Sequence, residues 1–166
     1  QLICQFHFRC RQSLCLHPNN ICDSKVHCLN GDDEELCNIL KCPQGCLCLG
    51  LALKCLGGNF TQIPTLSSDL RALIYIQMDL TTWDWHENQD IIFNYMYRLI
   101  ISMNKIQSFK YQPFVNLRTL KELDLSFNLL THVKSSYFYG MIEVKMINIK
   151  GNPLAAIEAH SFASLN

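Results

Sequence analysis

From Met96 onward the sequence repeats with a period of 24 residues. Met96, Leu120 and Val144 share a column, followed by Leu99, Leu123 and Ile147 and then by Ile101, Leu125 and Ile149. Asn104, Asn128 and Asn152 come next, and Ile106, Leu130 and Leu154 close the first half of each unit. The second half carries Phe114, Phe138 and Phe162, then Leu117, Met141 and Leu165. A unit this short cannot bury an apolar face by itself. Its L-x-L piece alternates, as a short strand with one buried face does. The remainder brings the chain back to begin the next strand beside the last, in parallel, so that stacked units share one continuous core. The Asn column falls where the chain turns off the strand. A side-chain amide there satisfies backbone groups that the turn would leave buried and unpaired, so the asparagines are read as structural. The Phe column fills the space behind the strands, on the convex side.

Written out, each unit reads L-x-x-L-x-L-x-x-N-x-L followed by a Phe-containing return. This pattern resembles the leucine-rich repeat family, and the resemblance implies an α/β-type solenoid with parallel strands on its concave face. A degenerate unit precedes the three regular ones: Leu70, Leu73, Tyr75, Met78 and Leu80 fit the pattern, with Met78 in the Asn position. This unit is two residues longer than the rest, and the extra length is placed in the polar stretch 81–90, which carries Trp83 and Trp85. The two tryptophans are expected to pack against the convex side, with an exposed contact patch as the alternative. The chain stops in mid-repeat at Asn166 without a closing cap, as a fragment of something longer would.

Ten cysteines, all before residue 56, are the other strong signal. Clustering of this kind points to disulfide-stapled modules in an oxidising compartment, with metal binding in a reducing one as the competing reading. The net formal charge is zero and charged residues make up 17%, which gives no footing for nucleic acid. No apolar run is long enough to span a membrane. The chain divides into a cysteine-rich module over 1–38, a short linker over 39–41, a second cysteine-rich segment over 42–65 and the repeats over 66–166.

Six cysteines lie in the first module, which is too small to hold itself together by burial. Three cross-links, at roughly 2–4 kcal/mol each, would supply what the core lacks. The spacing Cys4-x5-Cys10-x4-Cys15-x6-Cys22-Asp23-x4-Cys28-x2-Gly31-x-Asp33-Glu34-x2-Cys37 is similar to the low-density-lipoprotein receptor class A module. That resemblance implies the pairs Cys4–Cys15, Cys10–Cys28 and Cys22–Cys37, with Phe8 and Leu16 in a small apolar core. It also implies a Ca2+ site formed by the carboxylates of Asp23, Asp33 and Glu34 and the backbone carbonyls of Asn20 and Lys25. His27 stands where the family places a further Asp. Imidazole is a poor Ca2+ ligand, so the site is expected to be weakened. The second segment, Cys42-Pro43-x2-Cys46-x-Cys48-x6-Cys55, resembles the N-terminal cap of extracellular leucine-rich repeat proteins, which implies Cys42–Cys48 and Cys46–Cys55. Four cysteines also suit zinc, but a position directly before a solenoid favours a cap. Asn59 begins an N-glycosylation sequon, Asn59-Phe60-Thr61.

No catalytic set is legible: the six histidines are scattered, and neither a nucleophile motif nor a phosphate loop is present. The chain is read as a non-enzyme and the concave face as its binding surface. Strand alternation places Ala72, Ile74, Ile76 and Gln77 there, followed by Arg98, Ile100, Ser102 and Met103. The next units contribute Glu122, Asp124, Ser126 and Phe127, and then Met146, Asn148, Lys150 and Gly151. Glu122 and Asp124 form an acidic pair suited to an Arg or Lys of a peptide ligand.

The order of modules, with the cap stretch from Cys46 to Cys55, resembles the ectodomain of relaxin-type receptors, which are leucine-rich-repeat-containing G protein-coupled receptors. The resemblance implies a two-chain insulin-like hormone bound on the repeats, with Arg98, Glu122 and Asp124 as candidate contacts. It implies that the class A module acts in signalling, with Phe6 and Phe8 in the matching places. It also implies a location on the extracellular face of the plasma membrane, and a G protein reached through a seven-helix domain that lies outside this chain. The linker is much shorter than in that family. An adhesion or other protein-binding protein without signalling, and the non-catalytic part of a mosaic enzyme, are the alternatives.

Overall fold

The computed structural model describes residues 4, 8–12, 14–17, 20–35, 37, 42–58, 63, 65–85 and 90–165. The linker over 39–41, Phe6 and Asn59 lie outside them, and with them the expectations of a short linker, of signalling through Phe6 and of a glycan on Asn59.

The solenoid is built on one six-stranded sheet. Strands β3 (Cys46–Leu49) and β4 (Ala52–Leu56) form an antiparallel hairpin. Strands β5 (Ala72–Ile76), β6 (Arg98–Ser102), β7 (Glu122–Asp124) and β9 (Met146–Asn148) then follow in parallel. The register carries the repeat period into space. Leu53, Leu73, Leu99, Leu123 and Ile147 lie in one row, and Cys55, Tyr75 and Ile101 in another. Both rows face a core that continues through Leu120, Leu125, Leu130 and Phe138. The cysteine-rich hairpin therefore does more than cover the end of the stack, because β4 pairs directly with β5 and begins the sheet.

The ten cysteines pair as Cys4–Cys15, Cys10–Cys28, Cys22–Cys37, Cys42–Cys48 and Cys46–Cys55, leaving none free. In the N-terminal unit, β1 (Phe8–Arg9) and β2 (Cys15–Leu16) form a short antiparallel ribbon. Phe8 packs on Cys10, Leu16 and Cys28, while Ile21 is fully buried. The single turn of helix in the described residues, α1 (Asp32–Glu35), also lies in this unit.

The α/β-type description needs correcting, because the described return segments of the solenoid contain no helix. They run as isolated turns, with Leu117 N–H donating to Phe114 O, Tyr137 to Lys134 and Met141 to Phe138. Strand β8 (His132–Val133) pairs in parallel with β10 (Ala156–Ile157) on this side. A 24-residue unit leaves too few residues behind the strand for several helical turns, each of which rises only ~5.4 Å. Aromatic rings fill the space instead. Phe109 meets Phe114 and Tyr137 edge to face, and Phe138 stacks on Phe162. Trp83 is buried, and Trp85 packs against it and donates from Nε1 to Pro113 O at 2.6 Å, so the tryptophans belong to the convex packing.

Each asparagine of the repeat column reaches back to the preceding coil. Asn104 Oδ1 accepts from Met78 N and Leu80 N, and its Nδ2 donates to Tyr75 O and Ser102 O. Asn128 accepts from Ile106 N and donates to Ile101 O and Leu125 O; Asn152 accepts from Leu130 N and donates to Leu125 O and Ile149 O. Truncating Asn128 strands several buried backbone groups at once. Asn128→Ala is expected to lower stability by about 2–4 kcal/mol in urea denaturation, and the less buried Asn152→Ala by less.

Candidate functional site

The concave face is a grid. One row across it reads Ala52, Ala72, Arg98, Glu122, Met146, and the next reads Lys54, Ile74, Ile100, Asp124, Asn148. Lys54 and Leu56 of the hairpin extend this surface beyond the four strands expected. Three of the positions expected to be open are closed: Ala72, Ser102 and Ser126 are buried. Ala72 is too short to rise above its neighbours. The two serines sit where the backbone leaves the strand, beneath the residue that follows.

The acidic pair separates into two unlike groups. Glu122 is matched within the sheet, its Oε2 accepting from Arg98 Nε at 2.5 Å, so Arg98 and Glu122 satisfy each other. Asp124 accepts only from neutral donors, the Ser126 N–H at 2.8 Å and Asn148 Nδ2 at 3.1 Å. Among the described residues it has no cationic partner. Of the two, Asp124 is the carboxylate that keeps an attraction for an incoming cation.

Along the rim of the sheet runs a column that sequence reading did not find. Gly57, Gln77, Met103, Phe127 and Gly151 all adopt left-handed backbone, with φ of 63°, 59°, 55°, 54° and 72°. Each of the first four donates its N–H to the next coil, to Ile76 O, Ser102 O, Ser126 O and Lys150 O. The conformation thus extends the inter-coil ladder past the end of the strand. It costs an ordinary L-residue roughly 1–2 kcal/mol. Met103 and Phe127 occupy it with side chains 51% and 52% exposed, so the strain is not offset by burying them. The Phe127 ring lies across Gly151, where an added Cβ would stand 2.5 Å from Phe127 Cδ1. Glycines 57 and 151, in corresponding turns, were the available signal.

An overlapping pair of matches, over residues 94–154 and 118–166, fits the leucine rich repeat family model. The chain carries a leucine-rich repeat domain. No curated protein matches the chain. A leucine-rich repeat solenoid is typically a non-enzymatic binding scaffold, and such repeats point to an extracellular protein-binding role. Five disulfides agree with that location. No helix among the described residues is long and apolar enough to cross a membrane.

Outside the leucine-rich repeat domain, the acidic turn of the N-terminal unit brings Asp23, Asp33 and Glu34 into one hydrogen-bonded knot. Asp33 is fully buried and accepts from His27 N and Cys28 N. Glu34 Oε1 and Oε2 accept from Asp23 N and Ser24 N. Asp23 accepts from Lys25 N, and its Oδ2 lies 3.1 Å from His27 Nε2. That bond to His27 holds the Asp23 carboxyl below its ordinary range. Asn20 is half-buried and donates its N–H to His17 O. The donor set is hard oxygen, which fits Ca2+ in kind. The imidazole meets Asp23, and among the described residues no group of three or more His, Cys, Asp or Glu is arranged to hold a metal ion. Phe8 is engaged in the small core, which leaves only part of its ring for a partner.

The rim column gives a direct test of strain. Met103→Asn places a residue that tolerates left-handed backbone and is expected to hold or raise stability by up to ~1 kcal/mol in urea denaturation. Met103→Val, β-branched at positive φ, is expected to lower it by more than ~1 kcal/mol.

Proposed function

We propose that this chain is the extracellular ligand-binding part of a receptor similar to the relaxin-type leucine-rich-repeat-containing G protein-coupled receptors. In this reading, the concave face binds an insulin- or relaxin-like peptide hormone. The observation that supports the reading is the Asp124 carboxylate, bonded only to neutral donors on a face that also exposes Met103, Phe127 and Met146. A peptide that presents one Arg or Lys flanked by aliphatic side chains complements this strip. The charge goes to Asp124, and the apolar groups lie along the rim.

The N-terminal class A-like unit then acts in signalling, through Phe6 and the free part of Phe8. The G protein is engaged by a seven-helix domain outside this chain, at the plasma membrane, and Asn59 carries a glycan. Ca2+ binds the unit weakly, through Asp23, Asp33, Glu34 and the carbonyls of Asn20 and Lys25. His27 lowers the affinity by removing one negative ligand.

Two measurements test the reading. Surface plasmon resonance with insulin- and relaxin-like peptides should show Asp124→Asn weakening the retained peptide about 10–100-fold, the loss of one charge-assisted hydrogen bond. Glu122→Gln should weaken it less, because Arg98 already holds Glu122. No insulin-like peptide retained at micromolar concentration would instead favour an adhesion protein without signalling. Titration calorimetry should find weak Ca2+ binding in the wild-type chain and a gain of about tenfold or more in His27→Asp, from the added ligand charge. No heat in either form would remove the metal from the account.

A further inference from the structure

One cation of the solenoid is buried without an anion. Arg71 stands between Leu70 and β5, is only 8% exposed, and makes no ion pair with any described residue. Its Nε is shut away from solvent and has no hydrogen-bond partner. The guanidinium carbon lies 4.2 Å from the centroid of the Tyr95 ring, the one contact that offsets its charge at close range. Along the sheet, Arg98 is matched by Glu122 and Lys121 by Glu143. The Arg71 backbone is fully used, its N–H donating to Leu51 O and its carbonyl accepting from Tyr97 N and Arg98 N. The sheet thus fixes Arg71 at its backbone, and its side chain packs on Tyr95 with the Nε–H unpaired.

A desolvated guanidinium is costly unless an anion meets it. Burial lowers the Arg71 pKa, and the charges of Tyr95, Asp69 and Tyr97 oppose that shift. The Tyr95 ring, 50% exposed, forms one wall of the locus and brings it to the surface. Guanidinium presents a fixed planar fork of N–H donors suited to two oxygens at once.

We propose that Arg71, walled by Tyr95, is a seat for an oxyanion of an extracellular partner, either a carboxylate or a sulfate group. The seat lies on the flank of the first coil and is independent of the hormone reading. The terminal amines would donate to the two oxygens, while the Tyr95 face excludes water from one side and the buried Nε–H senses the bound charge. Asp69 is the internal competitor: were it the true partner, the seat would be closed.

The Arg71 Nε–H, buried and slow to exchange, gives a specific readout in 1H–15N spectra of the intact, oxidised chain. Sodium sulfate and sodium acetate are titrated separately against chloride at constant ionic strength. The expected result is a saturable shift of that cross-peak with at least one of the two, and the responding anion tells a tetrahedral source from a planar one. Asp69→Asn, which removes the nearest competing charge, is expected to keep the response and lower its half-saturation concentration. A linear drift with both anions overturns the proposal. So does a cross-peak that ignores both anions in the wild-type chain and in Asp69→Asn.

Discussion

What fixes the position of one coil of this protein against the next is hydrogen bonding to the backbone, from neighbouring strands and from the asparagine side chains. The apolar columns make stacking favourable but would tolerate slippage along the stack. The asparagines fix the spacing. Asn104 and Asn128 each accept from a backbone N–H and donate to carbonyls on their own coil and the coil before, in a place closed to water. Leaving such groups unpaired costs about 1–3 kcal/mol apiece, so each amide enforces one position of its coil relative to the last. Parallel strands, aligned core rows and the convex ring stack all presuppose that position.

The concave surface follows from the same register. Once Ala72, Arg98, Glu122 and Met146 are placed in line, the chemistry of the face is set by which residues find a match across the strands. Arg98 and Glu122 do, and they cancel. Asp124 does not. The rim residues add apolar surface at the cost of backbone strain, and such strain persists where the surrounding structure over-determines it. In the proposed reading, binding chemistry is concentrated in a few side chains whose charge or apolar surface the fold leaves open.

The strands, their order and their inward rows were legible because a strict period fixes them: Leu99, Leu123 and Ile147 lie in one row for the reason that they are 24 residues apart. The asparagines were legible because their chemistry admits few roles at a buried turn. Other features were not. The left-handed turns at Met103 and Phe127 are invisible to a reading based on polarity, since neither side chain favours that backbone. Alternation placed Ser102 and Ser126 on the open face, but Ser102 closes β6 and Ser126 lies past the end of β7, and both are buried. The missing helices reflect a limit of length that the family resemblance did not carry. Arg71 showed nothing in sequence, because an arginine between strands is ordinarily solvated and only its packing reveals that it is not.

The hairpin at the start of the sheet has one more implication. Cys55 occupies the same inward row as Tyr75 and Ile101, and its bridge to Cys46 lies across the hairpin whose second strand seeds all the others. In a stack where each layer rests only on its neighbours, order spreads from whichever layer is already rigid. A covalently closed first rung would serve as the template on which newly made coils wind up in sequence. Maturation of the array would then be gated by thiol oxidation in the secretory lumen, well before any coil encounters a partner.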